Sequence, residues 1–238
     1  MRLENIVWDA RDPQRLGRFW AAALGAEPMT DEPDIVEARL RFTDDAFLDL
    51  CFQPVASPST SPARLHPDLL GGARQAEVVL RLLDLGAEHV DIGQGAVPWV
   101  VLADPEGNTF CVMEEREAHR DTGPIAALPL DSADPDRDAA FWTGLTGWVR
   151  TGTTLRHPSG VGPLLEFCPE PEAKRGKNRL HLDVRREAGD DDIVERVLGW
   201  GATPYGAPSD HPWLSFTDPS GNEFCILNRS HTDSGART

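Results

Sequence analysis

Positive charge is scarce in this chain. Two lysines stand among 238 residues, and Lys+Arg number 23 against 39 Asp+Glu, for a net charge of −16. A field of that sign repels phosphate backbones and anionic lipid, so nucleic-acid and membrane-surface partners are not expected. No apolar run approaches the length of a bilayer span, which argues against a transmembrane protein. The opening MRLENIVWDARD lacks the apolar stretch of a secretory leader. Cysteine occurs four times, at 51, 111, 168 and 225, and never as CxxC. That spacing offers neither a zinc knuckle nor a dithiol motif, and a cytosolic location is the expectation. Tyrosine occurs once, yet 40% of the residues are hydrophobic, enough to fill sizeable cores.

What the chain does have is a repeat of itself. DPEGNTFC at 104–111 returns as DPSGNEFC at 218–225. Asp12-Pro13, Phe19-Trp20 and Gly25 return as Asp134-Pro135, Phe141-Trp142 and Gly147. Arg64-Leu65-His66 and Asp68 return as Arg179-Leu180-His181 and Asp183, and Trp99 returns as Trp213. Matches over this length at a slowly drifting offset are the mark of two homologous units. The expected boundaries are 1–117 and 123–228, with a polar tail at 229–238. Each unit reads as strand, helix, three strands, then the same again. Asp12 is placed to cap a helix with Pro13 at its first position. Leu16, Phe19, Trp20, Ala23 and Leu24 then fall on one helical face, and Gly25 ends it. Asp-Pro-x-Gly-Asn is read as the turn between two strands, with Gly supplying positive φ and no catalytic role.

Strand parity sorts the remaining residues. In RLHLDVR, Leu180, Leu182 and Val184 share one face while Arg179, His181, Asp183 and Arg185 share the other. In LDLCFQ, Leu48, Leu50 and Phe52 oppose Asp49, Cys51 and Gln53; in the last strands Cys111 and Cys225 oppose Phe110 and Phe224. The apolar faces are expected under helices. The mixed polar faces are expected to wall hollows that accept a ligand.

The strand–helix–three-strand order, the D-P…F-W helix, the KNRLHLDVR strand and the closing D-P-x-G-N-x-F-C resemble the glyoxalase/bleomycin-resistance/extradiol-dioxygenase group. This is the vicinal oxygen chelate superfamily, here its glyoxalase-like branch. The resemblance covers nearly the whole chain and implies an α+β fold of tandem domains. Each domain is built from two βαβββ modules curled into a cup with helices outside. It also implies a small-molecule ligand. Some members hold a divalent metal (Zn, Fe, Mn or Ni) and act as lyases, isomerases or dioxygenases on vicinal oxygens; others bind drugs without metal. The positions matching the family's ligands are Asn5, Cys51, His66 and Cys111 in the first unit. In the second they are Ala127, Glu166, His181 and Cys225. The family's carboxylate in the last strand is cysteine in both copies.

Two functions follow as alternatives: a metal-free binding protein, or a metal-dependent enzyme working mainly in the second unit. Candidate ligands are Cys51, His66 and Cys111, and Glu166 and His181 with Cys225; each cysteine also reads as a small core residue. Glu166 and His181 are the candidate catalytic pair, as metal ligands or proton movers. Arg179, Asp183, Glu223, Trp213 and Trp99 are the candidate substrate contacts. The basic cluster KRGKNR (174–179) reads either as a solvated loop or as a clamp on a ligand carboxylate or phosphate. The first unit, with Pro67 in its central strand, alternatively only completes the structure. Because paired modules can complete one another within one chain, the expected state is a monomer or a homodimer.

Overall fold

The computed structural model describes residues 1–44, 46–206 and 211–229. Of the expected polar tail, only Arg229 falls within them. Four βαβββ modules follow one another. The first comprises β1 (Arg2–Ala10), α1 (Pro13–Leu24), β2 (Glu27–Glu32), β3 (Ile35–Arg41) and β4 (Phe47–Pro54). The second comprises β5 (Asp68–Leu70), α2 (Gln75–Asp84), β6 (Glu88–His89), β7 (Val100–Ala103) and β8 (Thr109–Met113). The third comprises β9 (Ile125–Ser132), α3 (Pro135–Thr146), β10 (Val149–Thr151), β11 (Thr154–Arg156) and β12 (Leu164–Pro169). The fourth comprises β13 (Leu180–Arg185), α4 (Ile193–Gly199), β14 (Thr203–Pro204), β15 (Trp213–Thr217) and β16 (Glu223–Leu227).

Helix ends follow the expected chemistry. The Asp12 side chain accepts from Arg15 N, Pro13 follows, and Gly25 closes α1 at φ 68°. Asp134, Pro135 and Gly147 repeat this on α3. Left-handed φ at the closing residue is where glycine avoids the Cβ penalty.

The modules pair crosswise. One sheet runs β14-β15-β16-β13-β1-β4-β3-β2, joining the first module to the fourth. The other runs β10-β11-β12-β9-β5-β8-β7-β6, joining the third to the second. Each sheet is therefore shared between the two halves of the sequence, through antiparallel β1–β13 and β5–β9 junctions. Strand β5 is half the length of its counterpart β13. Pro67, just before it, has no N–H for the ladder, although its carbonyl still accepts from Cys111 N at 3.3 Å.

Parity holds as expected. Ile6, Trp8, Leu180, Leu182 and Val184 are buried together with Leu128, Leu130 and Phe224 in one contiguous core. Trp20 of α1 meets Trp8 of the first sheet and Phe110 of the second. Trp142 of α3 meets Phe224. The helices thus cover the apolar faces and leave the opposite faces free to line hollows. No helix of the described residues is long and apolar enough to cross a membrane.

Candidate functional site

The polar face of the first sheet carries two rows of side chains set by strand register. Ser215, Cys225, Asp183, Asn5, Asp49 and Arg39 lie side by side across six strands. One step along, His181, Val7, Cys51 and Glu37 form a parallel row. Between them and Pro212 and Trp213 is a cavity of about 480 Å³. Trp213 walls it, its indole stacked on His211 with centroids 4.6 Å apart and planes within 2°.

The floor is hydrogen-bonded. Asn5 Nδ2 donates to Asp183 Oδ2 at 3.0 Å, and His181 Nε2 lies 3.4 Å from Asp183 Oδ1. Ser215 Oγ and Cys225 Sγ are 3.5 Å apart. Arg39 grips Asp49 with two bonds of 2.7 and 2.6 Å, the bidentate geometry that fixes both side chains. His181 is buried, and burial alone would favour its neutral form. Asp183 and Cys225 outweigh that and raise its pKa to about 10. The Cys51 thiol is pushed up by burial first, then by Asp183, Glu37 and Asp49, so it stays protonated at neutral pH.

The second sheet repeats the theme with His66, Asp68 and Cys111. His66 Nε2 lies 3.2 Å from Asp68 Oδ1. The Cys111 thiol is pushed up by burial and by Asp68. Glu166, on β12, also belongs to this sheet and its carboxyl is raised by burial and then by Asp68, with Arg116 opposing. His119 is buried nearby and held toward its neutral form by burial and Arg116.

The sequence-expected groupings are re-sorted by this topology. Glu166 and His181 do not share a site, because β12 and β13 belong to different sheets. Glu166 faces the side that carries His66 and Cys111, whereas Cys51 joins His181 and Cys225. Arg179 gives both Nη groups to the Glu106 carbonyl at 3.2 Å, with the Glu106 carboxylate at 3.7 Å. It is not a free ligand clamp. Lys174 of the basic cluster bonds Glu223 at 2.6 Å, and Lys177 bonds Asp9. The carboxylates that this loop clamps are therefore the protein's own, and Glu223 is engaged rather than offered to a ligand. Trp99 packs beside Val101, Cys111 and Met113, with the Arg116 guanidinium 5.6 Å from its ring centre. Trp213 and Asp183 do line the cavity. Sequence reasoning missed Glu37 and Arg39, although the alternation of EARLRF places both on the polar face.

The donor sets can be tested against the metal that related folds imply. In each sheet one His nitrogen, one Asp oxygen and one Cys sulfur lie within 4.8 Å of one another. The Nε2–Oδ1 separations of 3.4 and 3.2 Å match the edge, about 3.4 Å, of a zinc tetrahedron with ~2.1 Å bonds. Asp183 Oδ1 and Asp68 Oδ1 face the imidazole Nε2 of His181 and His66, and His181 Nδ1 is buried without a hydrogen-bond partner. Three donors in each sheet thus fit a metal.

Four βαβββ modules joined pairwise around two hollows define a two-domain vicinal oxygen chelate architecture. The chain belongs to the family described as the Glyoxalase-like domain, matched over residues 5–113 and 127–227. Among solved structures it resembles glyoxalase I from Zea mays, at 14% identity over 95% of this chain and 92% of that one, with a TM-score of 0.67. It also resembles a putative dioxygenase from Bacillus subtilis subsp. subtilis str. 168, at 16% identity over 100% of this chain and 88% of that one, with a TM-score of 0.62. At these identities the likeness concerns the fold. No curated protein sequence matches the chain.

Proposed function

We propose that this protein binds a small organic molecule in the hollow of the first sheet, without needing a metal. The observation that carries the reading is the 480 Å³ cavity itself, walled by the stacked Trp213 and floored by Asn5, His181, Asp183 and Cys225. A planar wall above a few fixed polar groups suits an aromatic or conjugated ligand bearing a hydrogen-bonding edge. Asn5 and Cys51 stand where metal-using relatives carry stronger ligands. Asn5 is an amide, a weaker ligand than imidazole or carboxylate, and its nitrogen already donates to Asp183, which favours binding over metal chemistry.

Indole and quinoline serve as probes, observed by saturation-transfer NMR against the full chain. Wild type is expected to bind at least one of them saturably, and Trp213→Ala to weaken that binding about tenfold, corresponding to ~1.4 kcal/mol. Equal binding by wild type and W213A would remove the first-sheet hollow as the site.

A second reading is favoured by one observation, the His-Asp-Cys donor triplets. His181, Asp183 and Cys225 would hold a divalent ion, which would supply Lewis-acid polarisation of a ligand oxygen. Asn5 would hold Asp183 in orientation. Elemental analysis after purification without added metal separates the readings. Less than a tenth of an ion per chain, unchanged in His181→Ala, supports the metal-free one; a stoichiometric ion lost in H181A supports the other.

A further inference from the structure

A second cavity, of about 580 Å³, opens between the loop at 59–66, the turn at 107–111 and the strand ends at 131 and 178–180. Arg64 lines it and also borders a smaller space of about 170 Å³. Its side chain is deeply enclosed, the residue being 8% exposed. Among the described residues its guanidinium makes one hydrogen bond, Nη1 to the Glu172 carbonyl at 3.1 Å, and no ion pair within 4.0 Å. Its Nε is buried without a partner. A guanidinium has five N–H donors and cannot shed its charge, so a buried one with a single bond is far from satisfied.

The repeat shows what Arg64 lacks. Its counterpart Arg179 gives both Nη groups to the Glu106 carbonyl in the first copy of the turn. In the second copy the matching residue is Ser220. Its hydroxyl is taken by Asp138 and by Arg137, and its carbonyl receives nothing from Arg64 among the described residues. The same wall carries Ser59, Thr60, Asn108 and Asn178. Asp131 and Glu170 lie in the same lining. Asp131 N donates to the Arg64 carbonyl at 2.8 Å, while its carboxyl, raised by burial and pulled back by Arg64, makes no side-chain bond to the guanidinium.

We propose that this cavity is a second ligand site, for a small carboxylate that also carries hydrogen-bond donors. Arg64 takes the carboxylate, and the donors face Asp131 and Glu170. Those two carboxylates disfavour a polyanion by like-charge repulsion, which selects a monoanion over phosphate. The site adjoins the second sheet's donor set, since His66 and Cys111 also line it, but it is separate from the first-sheet hollow and stands whether or not that hollow binds the aromatic probes.

The test titrates the full chain with lactate, serine, inorganic phosphate and chloride at equal ionic strength, following arginine Nε–H resonances by 15N NMR and the thermal midpoint. Lactate or serine is expected to move one Nε–H resonance saturably and to raise the midpoint. Arg64→Gln is expected to abolish both effects, and Trp213→Ala to keep them. Shifts no larger than those of chloride, or the same midpoint gain in R64Q, would overturn the proposal. Phosphate binding as tightly as the carboxylates would overturn the ligand class. If R64Q fails to fold, the wild-type resonances decide alone.

Discussion

Asp104 and Asp218, the first residues of the repeated octapeptide, each gather four hydrogen bonds. Asp104 accepts from the backbone N of Glu106 and Asn108, from Asn108 Nδ2, and from Trp20 Nε1 at 3.0 Å. Asp218 does the same with Ser220, Asn222 and Trp142 Nε1 at 3.2 Å. The two motifs that repeat most clearly, F-W and D-P-x-G-N, are therefore partners. Trp142→Phe removes one donor from a buried carboxylate and is expected to cost about 1–3 kcal/mol in urea unfolding, with little effect on the first-sheet hollow. Burial, with help from Asp138, raises Asp218 to about 6 against the pull of Asn222 and Trp142. Its folded pKa lies above the unfolded value, so the native state holds the extra proton. Its stabilising contribution is present below the unfolded pKa and is lost as pH rises through about 6. Relative to Asp218→Asn, wild type is expected to gain about 2 kcal/mol between pH 7 and pH 4, read from urea curves of both proteins. No such trend in the difference would show that the carboxylate is ionised throughout. The residue identities and turn geometry were legible in the sequence. The Trp–Asp bond was not, because it spans 84 and 76 residues.

At the scale of elements, strand parity was the most reliable signal. The even–odd sorting of RLHLDVR and LDLCFQ holds residue by residue, since the pleat leaves no other choice for consecutive side chains. Helix α1 tests close packing. A Cβ on Gly17 would come within 2.5 Å of Val36 Cγ1 and 3.2 Å of Phe52. Gly17→Ala is expected to destabilise the protein by about 1–3 kcal/mol, and Val36→Ala in the same chain to recover part of that loss. Calorimetry of the single and double variants checks it; additive losses would mean the two sites do not touch. The basic segment 174–179 has the composition of an anion clamp. Which anions it meets depended on Asp9 and Glu223, brought to it from β1 and β16.

For the whole molecule, the decisive fact is that each sheet joins the two halves. Residues 1–117 alone would leave the pairing edges of β1 and β5 open, and residues 123–229 those of β9 and β13. Expressed separately, the halves are expected to self-associate or remain unfolded, and to form a one-to-one complex when mixed, as read by light scattering after size exclusion. Two stable monomeric halves that ignore each other would contradict this topology. The sequence by itself determined the repeated strand–helix–three-strand order, the apolar and polar faces of RLHLDVR, LDLCFQ and the two closing strands, and the list of chemical groups available to a site. Those are local properties, set by side-chain period, caps and turns. Only the tertiary structure decided that His181 keeps company with Asn5, Asp183, Cys51 and Cys225 while Glu166 joins His66 and Cys111. A strand's alternation says which way its side chains point, but any open strand edge offers the same N–H and C=O groups. The choice of partner is made by packing between residues more than a hundred positions apart.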